Sequence, residues 1–253
     1  KPSSAASDVY KRQKGSRVRS ALKNAVLYGI CDLGYVSSEK AEDVSRSLLA
    51  GGVGILQLRA KGHDPGALRN LALRLRILCD DFKIPFVIND HLELALECGA
   101  HGLHFGQDDG SLQEARERIG PEMLLGRSTH SLRQARQALV DSADYIGFGP
   151  LFPTPTKKGR PGIGLGKIRA MQEEVGLQIP AFCIGGVNPA NLEEVKQAGA
   201  RRVGEAVGLQ LLGAGERRVL ALAAVLVEQL LALLLQRQRS PASRLRRIRR
   251  NVS

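Results

Sequence analysis

Short apolar runs alternate with longer amphipathic stretches along most of the chain, and this alternation constrains the fold more than any other feature of the sequence. The apolar runs are aliphatic or β-branched and are bounded by Gly, Pro or Asp, which is typical of strands buried on both faces. They predict seven strands, at residues 26–31, 54–58, 85–88, 102–105, 124–127, 145–149 and 180–184. The amphipathic stretches predict seven helices, at residues 38–50, 65–81, 92–98, 111–119, 131–141, 168–175 and 189–198.

Seven βα units in series, with an eighth left open, predict parallel strands joined by right-handed crossovers. A chain of 253 residues is long enough for an α/β fold of the closed (β/α)8 TIM-barrel type, whose active sites lie at the carboxyl ends of the strands. An open doubly wound sheet is the alternative, but no GxGxxG follows the first predicted strand. We therefore predict a TIM barrel.

The net charge of +12 is concentrated at the two ends of the chain. Residues 1–24 carry a net +6 and residues 237–253 a net +7, which leaves the residues between them at −1. A near-neutral body with basic tails is not typical of a nucleic-acid-binding fold, so we expect no specific nucleic-acid partner. We predict a disordered basic extension at 1–24 (a sequence scar rather than a transit peptide), a barrel domain at 25–236 and an Arg-rich tail at 237–253. Removing residues 1–22 should then leave activity unchanged.

The sequence predicts neither a secretory signal nor a membrane span, and its cysteines favour a cytoplasmic protein. Residues 1–24 contain no apolar run of the kind a secretory signal needs, and the apolar stretch 219–235 is interrupted by Glu228 and Gln229. We predict a buried helix there rather than a membrane span. The four cysteines form no CxxC pair, and we interpret them as reduced core residues rather than a disulfide framework or a zinc site; they are Cys31, Cys79, Cys98 and Cys183.

Polar residues concentrate directly after the predicted strands. Gln57, Arg59 and Lys61 alternate along the second strand, so their side chains share one face. Two cations and an amide at the mouth of a barrel suit a phosphate or diphosphate, with a solvated strand end as the alternative. Asp90 and Asp109 follow the third and fourth strands, and two carboxylates facing one point suit Mg²⁺ bridging substrate phosphates. Alternatively, Asp90 is a helix cap and Asp109 a turn residue.

Two glycine-rich segments predict further parts of a ligand site. Residues 149–158 lead into 159–166, which contain four glycines and form a loop that can close over a ligand. Gly185 and Gly186 follow the seventh strand, where backbone amides commonly bind phosphate, although tight turns also explain such pairs. The histidines show no metal-ligand spacing, and we interpret His104 as a core residue.

Six of these segments occur in the order and approximate spacing of the thiamine-phosphate synthase family, and the chain resembles that family from about residue 27 to residue 200. The segments are residues 57–61, 87–90, 104–109, 126–130, 149–157 and 184–187. A sister family, the thiazole tautomerases, shares the barrel and part of the pattern. Lys61, Asp90 and Asp109 argue against the sister family, because a tautomerase releases no diphosphate.

The resemblance implies a transferase of thiamine biosynthesis. In that family, 4-amino-2-methyl-5-hydroxymethylpyrimidine diphosphate loses diphosphate, and the nitrogen of 4-methyl-5-(2-phosphoethyl)thiazole attacks the resulting carbon. Four catalytic residues would hold the departing diphosphate: Arg59, Lys61, Ser128 and Lys157. Gln57 and Asn89 would position the pyrimidine, and Asp90 and Asp109 would bind Mg²⁺. The thiazole phosphate would bind Thr154, Thr156 and the backbone of Gly185 and Gly186.

Residues 200–208 depart from the family pattern, which has an apolar eighth strand ending in a small or hydroxyl residue. Glu205 and two glycines are poor strand material, so we expect an atypical or damaged eighth strand and a weakened thiazole-phosphate site. A non-catalytic phosphate-binding barrel therefore stays open as an alternative function. The expected partners are the two small substrates, with no membrane partner and with homo-oligomerisation left open.

Overall fold

Eight parallel strands form a closed barrel in the computed structural model, which describes residues 4–154 and 161–207, without the side chains of residues 4–12, 14 and 205–207. The strands are β1 Leu27–Asp32, β2 Ile55–Arg59, β3 Phe86–Asn89, β4 Gly102–Phe105, β5 Leu124–Thr129, β6 Tyr145–Phe148, β7 Ala181–Ile184 and β8 Val203–Val207. Each strand pairs with the next along the chain, and β8 pairs with β1. The predicted (β/α)8 TIM barrel is confirmed.

Helices alternate with the strands of the barrel. They are α1 Ser4–Asn24, α2 Ala41–Ala50, α3 Pro65–Asp81, α4 Leu92–Glu97, α5 Leu112–Ile119, α6 Leu132–Val140, α7 Ile168–Glu174 and α8 Leu192–Gln197. Helix α3 has the predicted bounds because two residues fix its start. The side chain of Asp64 caps the helix by accepting a hydrogen bond from the amide of Ala67, and Pro65 occupies the first turn. Helix α8 begins later than predicted, because the Asn188 side chain accepts hydrogen bonds from the amides of Ala190 and Asn191 and holds a turn there.

The strands are buried on both faces, and each face belongs to a different hydrophobic cluster. Alternate residues such as Leu56 and Leu58 pack outward against the helices, whereas Ile55 and Val87 point into the barrel interior. Tyr28, Tyr145 and Phe182 fill much of that interior, with their ring planes close to perpendicular. Because both faces of each strand are covered, the strand sequences are continuous apolar runs without polar alternation.

Residues 4–24 form helix α1, so our prediction of a disordered extension is wrong. Leu22, at the end of this helix, is buried against the interior cluster where the strands begin, and Val18 packs beside it. Arg19 forms an ion pair with Asp144 at the start of β6. Helix α1 thus closes the amino-terminal end of the barrel. The sequence pattern does not reveal this helix because it is polar overall, and among its described side chains Leu22 and Val18 pack on the interior cluster.

Strand β8 completes the barrel, so of the atypical or damaged eighth strand that we predicted, the damaged alternative is wrong. Its backbone pairs with β1 from Val203 to Val207 and with β7 at Val203 and Gly204. Gly204 suits this position, because a β-carbon there would lie 3.3 Å from Tyr28 Cβ and 3.2 Å from Ile184 Cδ1. The side chain of Glu205 lies outside the described part of the structure, so the weakened thiazole-phosphate site stays a prediction.

Within the part of the chain that the structure describes, no helix is both long and apolar enough to cross a membrane. Our predictions for residues 219–235 and for the Arg-rich tail at 237–253 fall outside the described residues. The same applies to the boundary that we placed at residue 236.

Candidate functional site

The carboxyl ends of the strands bring the sequence-predicted polar residues together at one mouth of the barrel. Gln57 and Arg59 lie on β2, Asn89 ends β3, and Ser128 lies near the end of β5. Gly185 directly follows β7. Parallel strands end at the same edge, so residues far apart in sequence become neighbours.

Arg59 is held in place by a carboxylate that our sequence analysis did not select. Arg59 Nη1 donates to Asp32 Oδ2 at 2.7 Å, and Asp32 is fully buried. The other carboxylate oxygen of Asp32 accepts from the amide of Gly34 at 3.0 Å. The sequence does contain a signal for Asp32, which is an acidic residue at the carboxyl end of an apolar strand. We ended the first predicted strand at Cys31 and so left Asp32 out of the site.

Lys61, Asp90 and Asp109 form a compact charged cluster, here called the carboxylate cluster. Lys61 Nζ lies 3.9 Å from Asp90 Oδ2 and 3.6 Å from Asp109 Oδ1. Asp109 Oδ2 accepts a hydrogen bond from the amide of Gly106 at 2.8 Å. The Lys61 side chain is 61% exposed, so its ammonium group is accessible to a ligand. The predicted convergence of the two carboxylates is therefore present in the fold.

The backbone holds the Asp90 carboxylate in a strained and poorly solvated position. Asp90 has a φ of 63°, a left-handed conformation uncommon for residues other than Gly, and its amide donates to the His104 carbonyl at 2.9 Å. Burial, together with the hydrogen bond and the charge of Asp109, raises the pKa of Asp90 from 3.8 to about 6, against the opposing charges of Lys61 and Arg59. Burial acts in the same direction on Asp109, but the hydrogen bond with Asp90 and the charge of Lys61 lower its pKa overall.

The carboxylate cluster has the donor atoms that suit a hard divalent cation. Among the described residues, Asp90 Oδ1 is buried without a hydrogen-bond partner, which leaves it as an acceptor for a ligand. No group of three or more His, Cys, Asp or Glu side chains suited to a metal occurs in the same described part of the chain. Mg²⁺ commonly takes one or two protein carboxylates and completes its shell with water and substrate phosphates. Asp90 and Asp109 therefore fit Mg²⁺ better than they fit a cation that needs a closed protein cage.

The interior face of the mouth is polar, and its side chains bond to one another. Ser128 Oγ lies 3.0 Å from His104 Nε2, and Gln57 Nε2 donates to the Tyr28 hydroxyl at 2.7 Å. Gln57 and Asn89 are buried, as is His104. His104 is thus the core residue that we expected, but it also contacts a predicted catalytic residue. Sequence reasoning missed this contact because it joins inward-facing side chains of two neighbouring strands, β4 and β5, that are 24 residues apart in the sequence.

Gly185 and Gly186 let the loop after β6 pack closely on the loop after β7. They have φ values of 90° and 71°, and a β-carbon on Gly185 would lie 2.4 Å from Pro150 Cβ. The amide of Phe152 donates to the Gly185 carbonyl at 3.0 Å. This packing positions the residues that lead to Thr154, which is half-buried. Two predicted site residues, Thr156 and Lys157, lie outside the described residues.

Comparisons with known proteins agree with this architecture. The family model described as thiamine monophosphate synthase matches residues 27–207. A thiamine-phosphate synthase of Gloeobacter violaceus is 41% identical over 191 residues, which are 75% of this chain but 54% of the relative, so the chain spans about half of that protein's length. One from Shouchella clausii is 40% identical over 178 residues, covering 70% of this chain and 84% of the relative.

A solved structure gives the same result in three dimensions. The thiamine phosphate pyrophosphorylase of Pyrococcus furiosus superposes with a TM-score of 0.70 at 30% sequence identity, covering 86% of this chain and 98% of that one. The corresponding protein of Bacteroides thetaiotaomicron superposes with a TM-score of 0.57 at 19% identity, covering 85% of this chain and 99% of that chain, and this likeness shows the fold alone.

Proposed function

The chain belongs to the thiamine monophosphate synthase family, and from this premise we propose that it catalyses the synthase reaction. In that reaction 4-amino-2-methyl-5-hydroxymethylpyrimidine diphosphate and 4-methyl-5-(2-phosphoethyl)thiazole give thiamine phosphate and diphosphate. The observation that carries the proposal is the carboxylate cluster beside Arg59, because it combines two cations and two acids at one strand edge. A tautomerase, which releases no diphosphate, has no need of that combination.

The proposed chemistry asks the protein to stabilise a leaving anion rather than to activate a nucleophile. The bond between the pyrimidine methylene carbon and the diphosphate oxygen breaks, and its electron pair leaves with the diphosphate. The thiazole nitrogen then forms the new bond with its own lone pair. Charged donors fixed before the reaction, such as Arg59 on Asp32, stabilise the leaving group without reorganising during the step.

We assign the diphosphate to Arg59, Lys61 and Ser128, with Lys157 as a further cation. Arg59 is suited to this role because its carboxylate partner is buried, so the guanidinium keeps one orientation. Lys61 is suited because it is exposed and lies between two acids. Ser128 supplies a neutral donor near the carboxyl end of β5.

We assign the remaining groups by their position at the mouth. Gln57 and Asn89, buried on β2 and β3, would bind the pyrimidine. The thiazole phosphate would bind the loops after β6 and β7, through Thr154, Thr156 and the backbone of Gly185 and Gly186. The close packing of these two loops supports a shared anion site.

Asp90 and Asp109 would hold Mg²⁺, a role supported by the unpartnered Asp90 Oδ1 and by the raised pKa of Asp90. When bound, the ion neutralises part of the diphosphate charge. Without a cation the two carboxylates repel each other, and Lys61 relieves this only in part. We also propose a cytoplasmic location, since all four thiols are free and buried.

The test is to mix both precursors with Mg²⁺ and to measure release of diphosphate together with formation of thiamine phosphate. The proposal predicts both products in equal amounts. Conversion of a thiazole isomer without diphosphate release would indicate a tautomerase. Tight binding of both precursors without turnover would indicate a non-catalytic binding protein.

Asp90→Asn should lower turnover far more than it lowers the free energy of unfolding, because it removes a cation ligand from the mouth and leaves the core intact. The matched control is Asp108→Asn, since Asp108 is an exposed acid in the same loop as Asp109. Turnover that persists in excess chelator would show that the metal assignment is wrong.

Lys61→Ala should lower the rate about a hundredfold, on the scale of a lost electrostatic donor. The KM for the thiazole phosphate should change little, because Lys61 faces the acids that we assign to the diphosphate side. Lys61→Arg keeps the charge and should lose less. An equal loss of thiazole affinity would place Lys61 in the other subsite.

A further inference from the structure

Five polar side chains form a continuous hydrogen-bonded chain through the barrel interior, here called the interior relay. It runs from Gln57 to Tyr28 (2.7 Å), Tyr145 (3.0 Å), His104 (3.2 Å to Nδ1) and Ser128 (3.0 Å from Nε2). The proposed function uses only the two ends of this relay. The three residues between them are buried, and the proposed function assigns them no role.

One direction of donation gives every donor in the interior relay an acceptor. Gln57 Nε2 can only donate, so the Tyr28 oxygen accepts from it. The buried Tyr28 proton then needs an acceptor, and the Tyr145 hydroxyl, 3.0 Å away, is the other side-chain partner that the structure gives Tyr28. Tyr145 then donates to His104 Nδ1, so the neutral imidazole carries its proton on Nε2. His104 Nε2 consequently donates to Ser128 Oγ. The hydroxyl proton of Ser128 is left for an acceptor other than His104.

We propose that His104 is a positioning residue that commits the Ser128 hydroxyl to donating to an anion at the mouth of the barrel. This rests on the proposed function for the identity of the anion, the diphosphate. A serine that accepts from an imidazole N–H keeps its own proton for the ligand, which is the orientation that a departing anion requires. If donation along the relay ran in the opposite direction, Ser128 would donate its proton to His104. Its oxygen would then present only a lone pair to the anion, which would repel it.

Two further observations support a specific role for the interior relay. Burial raises the pKa of both phenols well above the ordinary value, so Tyr28 and Tyr145 keep the protons that the relay needs. Gly126, in the middle of β5, provides the space where the rings meet, because a β-carbon there would lie 2.5 Å from both His104 Nδ1 and the Tyr145 hydroxyl oxygen. A glycine inside a strand often marks such a close approach.

The first test locates the ring proton of His104 by ¹⁵N NMR of histidine-labelled protein, without substrates. We expect the proton on Nε2 in the unsubstituted protein. In Tyr145→Phe, which keeps the aromatic ring and removes the hydroxyl, the proton should redistribute between the two nitrogens. The other four histidines serve as internal references. A ring proton confined to Nδ1 in the unsubstituted protein would reverse the direction of the relay and overturn the proposal.

The second test measures binding of inorganic diphosphate in the presence of Mg²⁺. Ser128→Ala should weaken binding about tenfold to a hundredfold, the range for one hydrogen bond to a charged group. Tyr145→Phe should weaken it less, and adding Tyr145→Phe to Ser128→Ala should change nothing further. If the double variant instead lost affinity by the product of the two single losses, Tyr145 and His104 would act on the ligand independently of Ser128. That result would overturn the proposal.

A third comparison separates positioning from a purely structural role. His104→Gln can still present an amide N–H to Ser128, so it should retain more diphosphate affinity than His104→Leu, with similar free energies of unfolding. Equal affinities would overturn the proposal. Failure of the proposed function is a separate result: the relay would behave as expected in NMR and diphosphate binding, but the two precursors would give no thiamine phosphate.

Discussion

The pair formed by Asp32 and Arg59 shows how one buried residue determines what another can do at the surface. Asp32 has no solvent exposure, and Arg59 and the amide of Gly34 donate hydrogen bonds to its carboxylate oxygens. Arg59 in turn gains a fixed orientation at the mouth of the barrel. Such a pair contributes through geometry as much as through attraction, since the energies of desolvation and of charge pairing largely offset each other.

At this scale we predict that Asp32→Asn lowers the free energy of unfolding by about 2 kcal/mol, because it removes a charge-assisted hydrogen bond but still accepts from Gly34. Diphosphate release should also slow, since Arg59 loses its fixed orientation. Denaturant titration and steady-state kinetics measure the two effects. The control is Glu42→Gln, which breaks the exposed contacts with Arg46 and Arg74 and should change stability by less than about 1 kcal/mol. Equal effects of the two substitutions would contradict our account of Asp32.

At the scale of elements, helix α1 and strand β8 stabilise each other although neither has a strong sequence signal. The side chain of Arg202, just before β8, donates to the Ala25 carbonyl from Nε and to the Lys23 carbonyl from Nη2, both at 3.0 Å. These carbonyls lie at the end of α1, where an α-helix leaves acceptors unpaired. Arg202 lies in a segment whose sequence indicates no regular structure, but its side chain caps the carboxyl end of α1.

Leu22→Ala should lower the free energy of unfolding by about 2–5 kcal/mol, because it opens a cavity where α1 closes the barrel. Ser20→Ala, at an exposed position of the same helix, is the matched control and should have little effect. Thermal and denaturant unfolding measure both. If removing residues 1–22 left the stability unchanged, helix α1 would not be part of the folded unit.

Gly204→Val should destabilise the barrel by about 1–3 kcal/mol, since the added methyl groups would meet Tyr28 and Ile184 in a filled interior. Gly204→Ala adds one carbon at a tight contact distance of 3.2–3.4 Å and should cost less than valine. The ratio of the two effects, measured by denaturant unfolding, reports how closely β8 packs. Tolerance of valine without any loss would show that this side of the interior is open.

At the scale of the whole molecule, the closed barrel makes each strand depend on two neighbours, with β8 joining the ends of the chain of pairings. The four buried cysteines lie in different parts of the barrel. Cys31 lies on β1, Cys79 on α3, Cys98 after α4 and Cys183 on β7. Burial raises the pKa of all four thiols, to about 12 for Cys31 and Cys183. They are therefore protonated as well as shielded.

We predict that none of the four thiols reacts with Ellman's reagent in the native protein at pH 8, and that all four react together on unfolding in guanidinium chloride. The thiolate is the reactive form, and a raised pKa keeps its population small well above pH 8. Thiol reactivity and circular dichroism should give the same transition midpoint. Early reaction of a single cysteine would reveal a locally unfolding part of the barrel.

Most of the barrel could be predicted from the sequence, because its strands and helices have local causes. The helix at Pro65–Asp81 has a cap, a proline at its start and a regular apolar face, and each of these is visible within about four residues. The clustering of Lys61 with Asp90 and Asp109 could also be inferred, since parallel strands place their carboxyl ends at one edge. Periodicity and topology were sufficient for these features.

Only the tertiary structure decided the features that depend on contacts between distant segments. Leu22 and Gly204 have ordinary local sequences, and they matter because one fills the barrel end and the other leaves room for Tyr28 and Ile184. The link between His104 and Ser128, like that between Asp32 and Arg59, crosses from one strand to the next. Local sequence determines which element forms, whereas the partner of an inward-pointing side chain depends on the register in which the barrel closes.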